Sequence, residues 1–180
     1  MRFVTLADLK SCKEQLSKRI KPGREIWVCG GPGCLASGSP AVAEKFKRLI
    51  SERSSDGSPS FWHSLKVIIS HDEHALKTAM TGCMGPCESG PVVHVEPEGW
   101  YYQKVTPDDV KGILDSLKEG RPYMPKAMSG KDGKPSGDPK AENIPFLAGQ
   151  KKLVLGKMSN MSPLDLEDYL AHGGYSGLVK

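Results

Sequence analysis

Hydrophobic residues near the start of the chain recur at helical spacing. In "TLADLKSCKEQLSKRI" the apolar side chains and one cysteine fall at three- and four-residue steps, at Leu6, Leu9, Cys12, Leu16 and Ile20. Thr5, with an aspartate three residues later, has the pattern of a helix cap. The spacing therefore predicts an amphipathic helix that begins after Thr5.

Two short apolar runs further along are typical of buried strands. They are "EIWV" (25–28) and "LKVIIS" (65–70), and between them "SPAVAEKFKRLISER" has the pattern of a helix with Pro40 in its first turn. Residues 71–82 are ambiguous, because their periodicity fits a strand as well as a helix. The order is strand, helix, strand.

The following segment predicts a β-hairpin and then a helix. "GPVVHVEPEGWYYQKV" contains two β-rich stretches around residues 97–99, and "TPDDVKGILDSLKEG" has a cap at Thr106 and a terminal Gly120. Strands and helices mixed on one small sheet predict an open α/β sandwich over residues 1–120.

The last third of the chain has a different composition. Residues 121–145 are rich in Pro, Gly and Lys, which predicts an extended linker. Residues 146–180 offer a strand-like "KLVLG" and a short helix capped at Ser162 and ending at Gly173. Because so short a segment cannot form its own core, we expect it to pack on another chain or to begin a further domain.

Composition narrows the functional classes. The 180 residues, 38% of them hydrophobic, suffice for one modest core and an appendage. The net charge of +4 is spread along the chain without basic clusters, so we expect no nucleic-acid partner. No apolar run approaches the roughly 20 residues of a membrane span, and the N-terminus does not resemble a signal peptide, so we expect a cytoplasmic protein.

In a reducing compartment, clustered cysteines indicate metal binding or redox chemistry rather than structural disulfides. Four of the five cysteines form two pairs, Cys29 with Cys34 (C-x4-C) and Cys83 with Cys87 (C-x3-C). Cys12 stands apart on the apolar stripe of the first helix. We expect it to be a buried small hydrophobe and not a ligand.

Glycines surround both pairs and leave backbone N–H groups free to point at sulfur; they are Gly30, Gly31, Gly33, Gly82 and Gly85. Four thiolates could bind zinc, but structural zinc sites favour C-x2-C spacing. A 2Fe-2S cluster needs two thiolates on each of two irons, which looser loops of unequal length can supply. The spacing favours the iron–sulfur cluster and leaves zinc open.

Other chemically suggestive residues have simpler interpretations. His71 and His74 fit a solvated acidic turn better than a metal site. Residues 100–102, "WYY", are expected in a strand and not as a base-stacking platform. Met80 and Met84, near the second pair, are expected to shield the cysteine site from water.

The C-x4-C pair, followed at a distance by "GCMGPCESGPVVHVEPEGWYYQKVTPDDV", closely resembles the thioredoxin-like 2Fe-2S ferredoxin family. This family includes the small iron–sulfur subunit of respiratory complex I, and the resemblance covers roughly residues 5–120. It implies a thioredoxin-like α/β sandwich with a 2Fe-2S cluster. One iron would be bound by Cys29 and Cys34, and the other by Cys83 and Cys87. The implied function is one-electron transfer without a catalytic acid or base.

The tail "PFLAGQKKLVLGKMSNMSPLDLEDYLAHGGYSGLVK" resembles the start of the flavin and NADH-binding subunit of complex I and its relatives. These relatives include NAD-linked hydrogenases, formate dehydrogenases and electron-bifurcating oxidoreductases. The resemblance implies partners that carry FMN, NAD and a 4Fe-4S cluster, since this chain has no glycine-rich nucleotide loop of its own.

Two alternative functions remain at this stage. The first is a structural docking module whose four thiolates hold zinc. The second is thiol–disulfide exchange, which usually needs a C-x-x-C motif at a helix start; the sequence contains none.

Overall fold

A four-stranded mixed sheet lies at the centre of the computed structural model, which describes residues 5–19, 24–54, 66–69, 81–128, 134, 137–153, 156 and 166–178. The strands are β1 (Glu25–Val28), β2 (Lys66–Ile69), β3 (Val93–Glu96) and β4 (Trp100–Tyr102), in the order β2-β1-β3-β4. β1 pairs with β2 in parallel and with β3 antiparallel, and β3 and β4 form an antiparallel hairpin. All four strands, including the aromatic residues of β4, confirm the sequence predictions.

The helices are α1 (Leu6–Arg19), α2 (Pro32–Ala36), α3 (Ser39–Ser54), α4 (Asp109–Lys118), α5 (Pro145–Ala148) and α6 (Leu166–Ala171). Short 3₁₀ helices cover Cys87–Ser89, Met124–Lys126 and Ala141–Asn143. The structure confirms α1, α3 and α4. Two short helices were not predicted: α2, within the first cysteine loop, and α5, at the end of the expected linker. None of the helices in the described residues is long and apolar enough to cross a membrane.

Side chains alternate between the two faces of the sheet, and each face is covered by different elements. On one face, residues of β1, β3 and β4 pack against α3 and α4 in a core that includes Ile26, Val28, Phe46, Val95, Tyr102, Ile113 and Leu117. On the other face, Trp27 and Cys29 of the same β1 run belong to a second cluster. This alternation places Cys29, the residue directly after β1, on the face opposite α3 and α4.

The expected linker lies against the edge of β4. The N–H of Tyr101 donates to the carbonyl of Pro139 at 2.8 Å, and the N–H of Met128 donates to the carbonyl of Tyr101 at 2.9 Å. Residues 127 and 140 form isolated bridges with β4. The described parts of 121–145 therefore satisfy backbone groups that an uncovered edge strand would leave unpaired, a role that composition did not predict.

The two ends of the described chain pack on each other. Leu9 and Leu16 of α1 bury against Leu170 of α6, with Cys12 partly buried beside them. The predicted cap of α1 is present: the N–H of Thr5 donates to Asp8 Oδ2 at 2.9 Å, and the N–H of Asp8 donates to Thr5 Oγ1 at 3.2 Å.

The described tail residues thus pack on this chain itself, an arrangement the sequence analysis did not include. Residues 152, 153 and 156 of the strand-like "KLVLG" are not in a strand, while residues 154 and 155, like the predicted cap at Ser162, lie outside the described residues.

Candidate four-cysteine site

The first cysteine pair is buried beneath the end of the sheet. Cys29 is 2% exposed, and its N–H donates to the carbonyl of Val92 at 2.9 Å. Cys34 is 1% exposed and lies in α2, which begins at Pro32 because proline suits the first turn of a helix. The strand end and the short helix together hold the two thiols inside the protein.

The second pair lies on the surface. Cys83 and Cys87 are exposed, on a loop that ends in the 3₁₀ helix Cys87–Ser89. This loop turns at Gly85, whose φ of +110° is a conformation that side-chain-bearing residues rarely adopt. The site therefore has one buried pair and one pair at the molecular surface.

Three glycines let the two pairs approach each other. A Cβ built on Gly31 would lie 2.9 Å from Cys83 Sγ and 3.6 Å from Cys29 Sγ. A Cβ on Gly33 would lie 3.2 Å from Cys87 Cβ, and one on Gly90 would lie 2.9 Å from Cys34 Sγ. Gly31 and Gly33 were predicted from the sequence to lie at the site, whereas Gly90 was missed because it lies three residues beyond Cys87, outside both cysteine motifs. The thiols thus converge where a side chain would collide with sulfur.

The four thiols also influence each other's protonation. A hydrogen bond with Cys34 and burial raise the pKa of Cys29, while the same hydrogen bond lowers the pKa of Cys34 to about 7. The neighbouring Cys83 sulfur raises the pKa of Cys87. Between the pairs, the charges of Cys87 and Cys83 act to raise the pKa of Cys34, and that of Cys29 acts to raise the pKa of Cys87.

Backbone N–H groups point at the buried sulfurs. Those of Met84 and Gly31 favour the charged form of Cys29, and that of Val92 does the same for Cys34. Hydrogen bonds of this kind are one of the means by which proteins adjust iron–sulfur sites. The N–H group of Gly31 was predicted from the sequence, whereas those of Met84 and Val92 come to the site only through the fold.

Apolar side chains cover the buried side of the site. The cluster that contains Cys29 and Cys34 also includes Trp27, Met84, Val92, Tyr101, Met128, Ile144 and Leu147. Met84 is 1% exposed, as expected of a residue that shields the cysteines, whereas Met80, His71 and His74 lie outside the described residues.

The C-terminal tail contributes to the site as well. The ring of Phe146 lies 3.4 Å from where a Cβ on Gly85 would be, and Lys152 Nζ donates to the carbonyl of Met84 at 3.4 Å. The apolar letters of "IPFL" were the only sequence signal for this contact, and they lie within or beside what composition predicts to be a linker.

The donor set fits a 2Fe-2S cluster. Such a cluster needs two thiolates for each of two irons and room for inorganic sulfide between them. The site provides two cysteine pairs, and it has glycine at the positions where a Cβ would intrude. Among the described residues, no three or more His, Cys, Asp or Glu side chains surround a single metal ion, whereas a 2Fe-2S cluster takes only two protein thiolates on each iron. Cys12 belongs to the separate α1–α6 contact.

Comparison with known proteins agrees with this fold. The model of the thioredoxin-like [2Fe-2S] ferredoxin family matches residues 14–118. A "Ferredoxin, 2Fe-2S" of Aquifex aeolicus is 47% identical over 58 residues, which cover 32% of this chain and 50% of that protein. A "Ferredoxin, 2Fe-2S" of Clostridium pasteurianum is 56% identical over 36 residues, which cover 20% of this chain and 35% of that protein. The matches thus span half or less of these relatives.

A solved structure of a thioredoxin-like [2Fe-2S] ferredoxin from Aquifex aeolicus is 29% identical in sequence and superposes with a TM-score of 0.46, covering 61% of this chain and 93% of that one.

The fold and the paired cysteines define a small α/β protein with a four-thiol site. With more than half of its length matched by the family model, the chain belongs to the thioredoxin-like [2Fe-2S] ferredoxin family. Membership of this family indicates a 2Fe-2S cluster as its cofactor.

Proposed function

We propose that Cys29, Cys34, Cys83 and Cys87 hold this cluster, with the first two on one iron and the last two on the other. The observation that carries the proposal is the convergence of both pairs on Gly31, where a Cβ would lie within 4 Å of a sulfur from each. A side chain there would occupy space that a ligand bridging the pairs needs.

We further propose that the chain is a one-electron carrier. When bound, the cluster supplies reversible one-electron redox chemistry. The protein's own groups bind the cluster and adjust its surroundings. The thiolates bind the irons, the backbone N–H groups of Met84 and Val92 donate to sulfur, and apolar side chains exclude water. The exposure of Cys83 and Cys87 gives an electron donor or acceptor a side from which to approach.

The larger assembly is also part of the proposal. We place the chain in a multi-subunit, NAD(H)-dependent, flavin-containing oxidoreductase in the cytoplasm. The support is the resemblance of residues 146–180 to the start of a flavin and NADH-binding subunit. FMN, NAD and a 4Fe-4S cluster would then belong to that subunit or domain and to its iron–sulfur partners. Co-purification of the chain with a protein of bound flavin would support this placement, and isolation without any such partner would contradict it.

The experiment that tests the site is an anaerobic visible spectrum of the purified chain with iron, zinc and sulfide analysis, followed by EPR after dithionite reduction. We expect iron and sulfide in equal amounts, absorption that bleaches on reduction, and a spin-half signal. Zinc without sulfide would instead identify the structural docking module and remove the electron-transfer function.

Cysteine-to-serine variants then test the individual ligands. We expect Cys29→Ser, Cys34→Ser, Cys83→Ser and Cys87→Ser each to lose or alter the visible and EPR spectra, because each removes one thiolate. Cys12→Ser is the matched control and should keep the wild-type spectra, since Cys12 packs between α1 and α6. An unchanged spectrum in any of the four variants would remove that residue from the ligand set.

A further inference from the structure

The C-terminal segment, defined here as residues 144–152, lies beyond the part of the chain that the family model matches, yet it forms one side of the cysteine site. Ile144 and Leu147 are buried in the same cluster as Cys29 and Cys34. Phe146 lies over Gly85 in the second cysteine loop. The segment is therefore anchored against the site by three side chains before it reaches Lys152.

Lys152 brings a positive charge to the second cysteine loop. Its Nζ donates to the carbonyl of Met84, while the N–H of the same Met84 points at the sulfur of Cys29. The backbone of Met84 thus contacts the ammonium of Lys152 through its carbonyl and the sulfur of Cys29 through its N–H. Met84 is 1% exposed and Lys152 is partly buried, so solvent screens this charge less than it screens the charge of a fully exposed lysine.

The charge of Lys152 also reaches the interior on this face of the sheet. Burial and, after it, the positive charge of Lys152 lower the pKa of His94 to about 3. His94 stacks on Tyr101, which belongs to the same apolar cluster as the buried cysteines. A lysine that influences a buried histidine acts through a medium of low dielectric, where charges interact more strongly than at the surface.

We propose that the positive charge of Lys152 raises the reduction potential of the cluster held by the four cysteines. The C-terminal segment would then determine how readily the site accepts an electron. This proposal rests on the proposed function above. Reduction adds one electron, supplied by the external reductant, and makes the site more negative by one charge. A nearby cation stabilises that reduced state more than the oxidised one.

The test is an anaerobic redox titration of the whole chain, followed by EPR, for wild type and three variants. Lys152→Met removes the charge and keeps an unbranched side chain, and we expect its midpoint potential to be lower than that of the wild type. Lys152→Arg keeps the charge and should stay near the wild-type potential. Lys151→Met removes a neighbouring exposed charge and should have little effect at about 0.15 M salt, where exposed charges are screened beyond about 8 Å.

Iron and sulfide content, measured on every variant, separates charge from structure. A lower potential in Lys152→Met at unchanged cluster content supports the proposal. An unchanged potential, or an equal shift in Lys151→Met, overturns it. Should Lys152→Met lose its cluster, Lys152→Gln provides a second neutral variant with the same expected shift. Failure of the proposed function is distinguishable, because the wild-type chain would then itself lack iron and sulfide.

Discussion

At the scale of single residues, the cysteine site depends on positions that have no side chain. Gly31 and Gly90 each leave only 2.9 Å between a prospective Cβ and a cysteine sulfur, a separation that real Cβ atoms essentially never show. Gly31 has φ −60° and ψ 153°, which any residue can adopt. Glycine is therefore required at position 31 because a side chain would not fit beside the sulfur, and not because of the backbone conformation.

We expect Gly31→Ala and Gly90→Ala to lose most of their bound iron and sulfide, because the new methyl group displaces Cys83 or Cys34 sulfur from its place. The measurement is the ratio of iron and sulfide to protein, with far-ultraviolet circular dichroism to verify the fold. Gly137→Ala is the control, since a Cβ at this exposed position would meet nothing within 4 Å. Full cluster content in both site variants would mean that the sulfurs do not need this space.

A second residue-scale feature is a histidine held neutral in the interior. His94 is 3% exposed, its ring stacks on Tyr101 with centroids 4.1 Å apart, and its Nδ1 has no hydrogen-bond partner among the described residues. Burial, with a smaller contribution from Lys152, lowers its pKa to about 3. A histidine in the unfolded chain titrates near 6.5.

This difference makes stability depend on pH. Between pH 6.5 and 3 the unfolded chain binds a proton at His94 that the folded chain does not, so the free energy of unfolding decreases as the pH falls through this range. From pH 7 to pH 5 the contribution of His94 amounts to about 2 kcal/mol. Glu96, whose carboxylate lies 3.4 Å from His94 Nε2 and whose pKa burial raises, acts in the opposite direction at pH values above its ordinary pKa.

We expect His94→Phe, which keeps an aromatic ring against Tyr101, to lose less stability than the wild type between pH 7 and pH 5. Urea unfolding of both proteins at the two pH values measures this difference. Because any acid sensitivity of the cluster is common to both, the comparison reports on His94 together with its contact to Glu96. Equal losses in the two proteins would show that His94 is not held neutral by the fold.

At the scale of elements, local signals predicted most of the fold. α1 has its capping residue in the sequence, and β1 to β4 are short apolar runs bounded by turn residues. α4 begins at Asp109, three residues after the predicted cap at Thr106, whose N–H donates to Asp109 Oδ2 at 2.8 Å. The order of the strands was beyond prediction, since it depends on contacts between distant segments. α2 was missed because its five residues lie in a glycine-rich stretch without helical periodicity.

The same distinction applies to the site. Spacing alone found both cysteine pairs, because the ligand residues are close together in sequence. The contribution of residues 121–152 could not be predicted, because this segment is rich in Pro, Gly and Lys. Its few apolar side chains occur at irregular intervals that match neither a helix nor a strand. The structure places these side chains, Met128, Ile144 and Leu147, against the face of the sheet that carries Cys29.

We expect Ile144→Ala to reduce the free energy of unfolding by about 2–4 kcal/mol, because it leaves a cavity in the cluster that covers the cysteines. Ile144 is 2% exposed, whereas Leu153, nearby in the same tail, is 82% exposed. Leu153→Ala is therefore the matched control and should change stability by less than about 0.5 kcal/mol. Equal stability of the two variants in urea unfolding would mean that the segment does not pack on the sheet.

At the scale of the whole molecule, the described residues form two apolar cores that share one sheet, and a third contact joins α1 to α6. The core beneath α3 and α4 has the larger set of buried residues, while the opposite core contains the buried cysteines. The third contact, between α1 and α6, is separate from both. The family match begins at residue 14, within α1, and ends before α6, so this contact joins a helix that the match covers only in part to a segment beyond the match.

If α1 is held mainly by α6, losing that contact should open α1 without unfolding the sheet. Leu170 is 1% exposed against Leu9 and Leu16, so we expect Leu170→Ala to speed amide hydrogen exchange in α1 by at least about tenfold while β3 and β4 keep their protection. Leu166→Ala, on the same helix but 47% exposed, should leave exchange in α1 unchanged.

A double-mutant cycle shows whether the two helices act on each other directly. Leu16→Ala and Leu170→Ala should together cost less than the sum of their separate effects, with a coupling of about 0.5–3 kcal/mol, because each removes the same contact. Mass-spectrometric exchange rates of α1 amides in the wild type, both single variants and the double variant give this coupling. Additive effects would show that α1 and α6 are stabilised independently of each other.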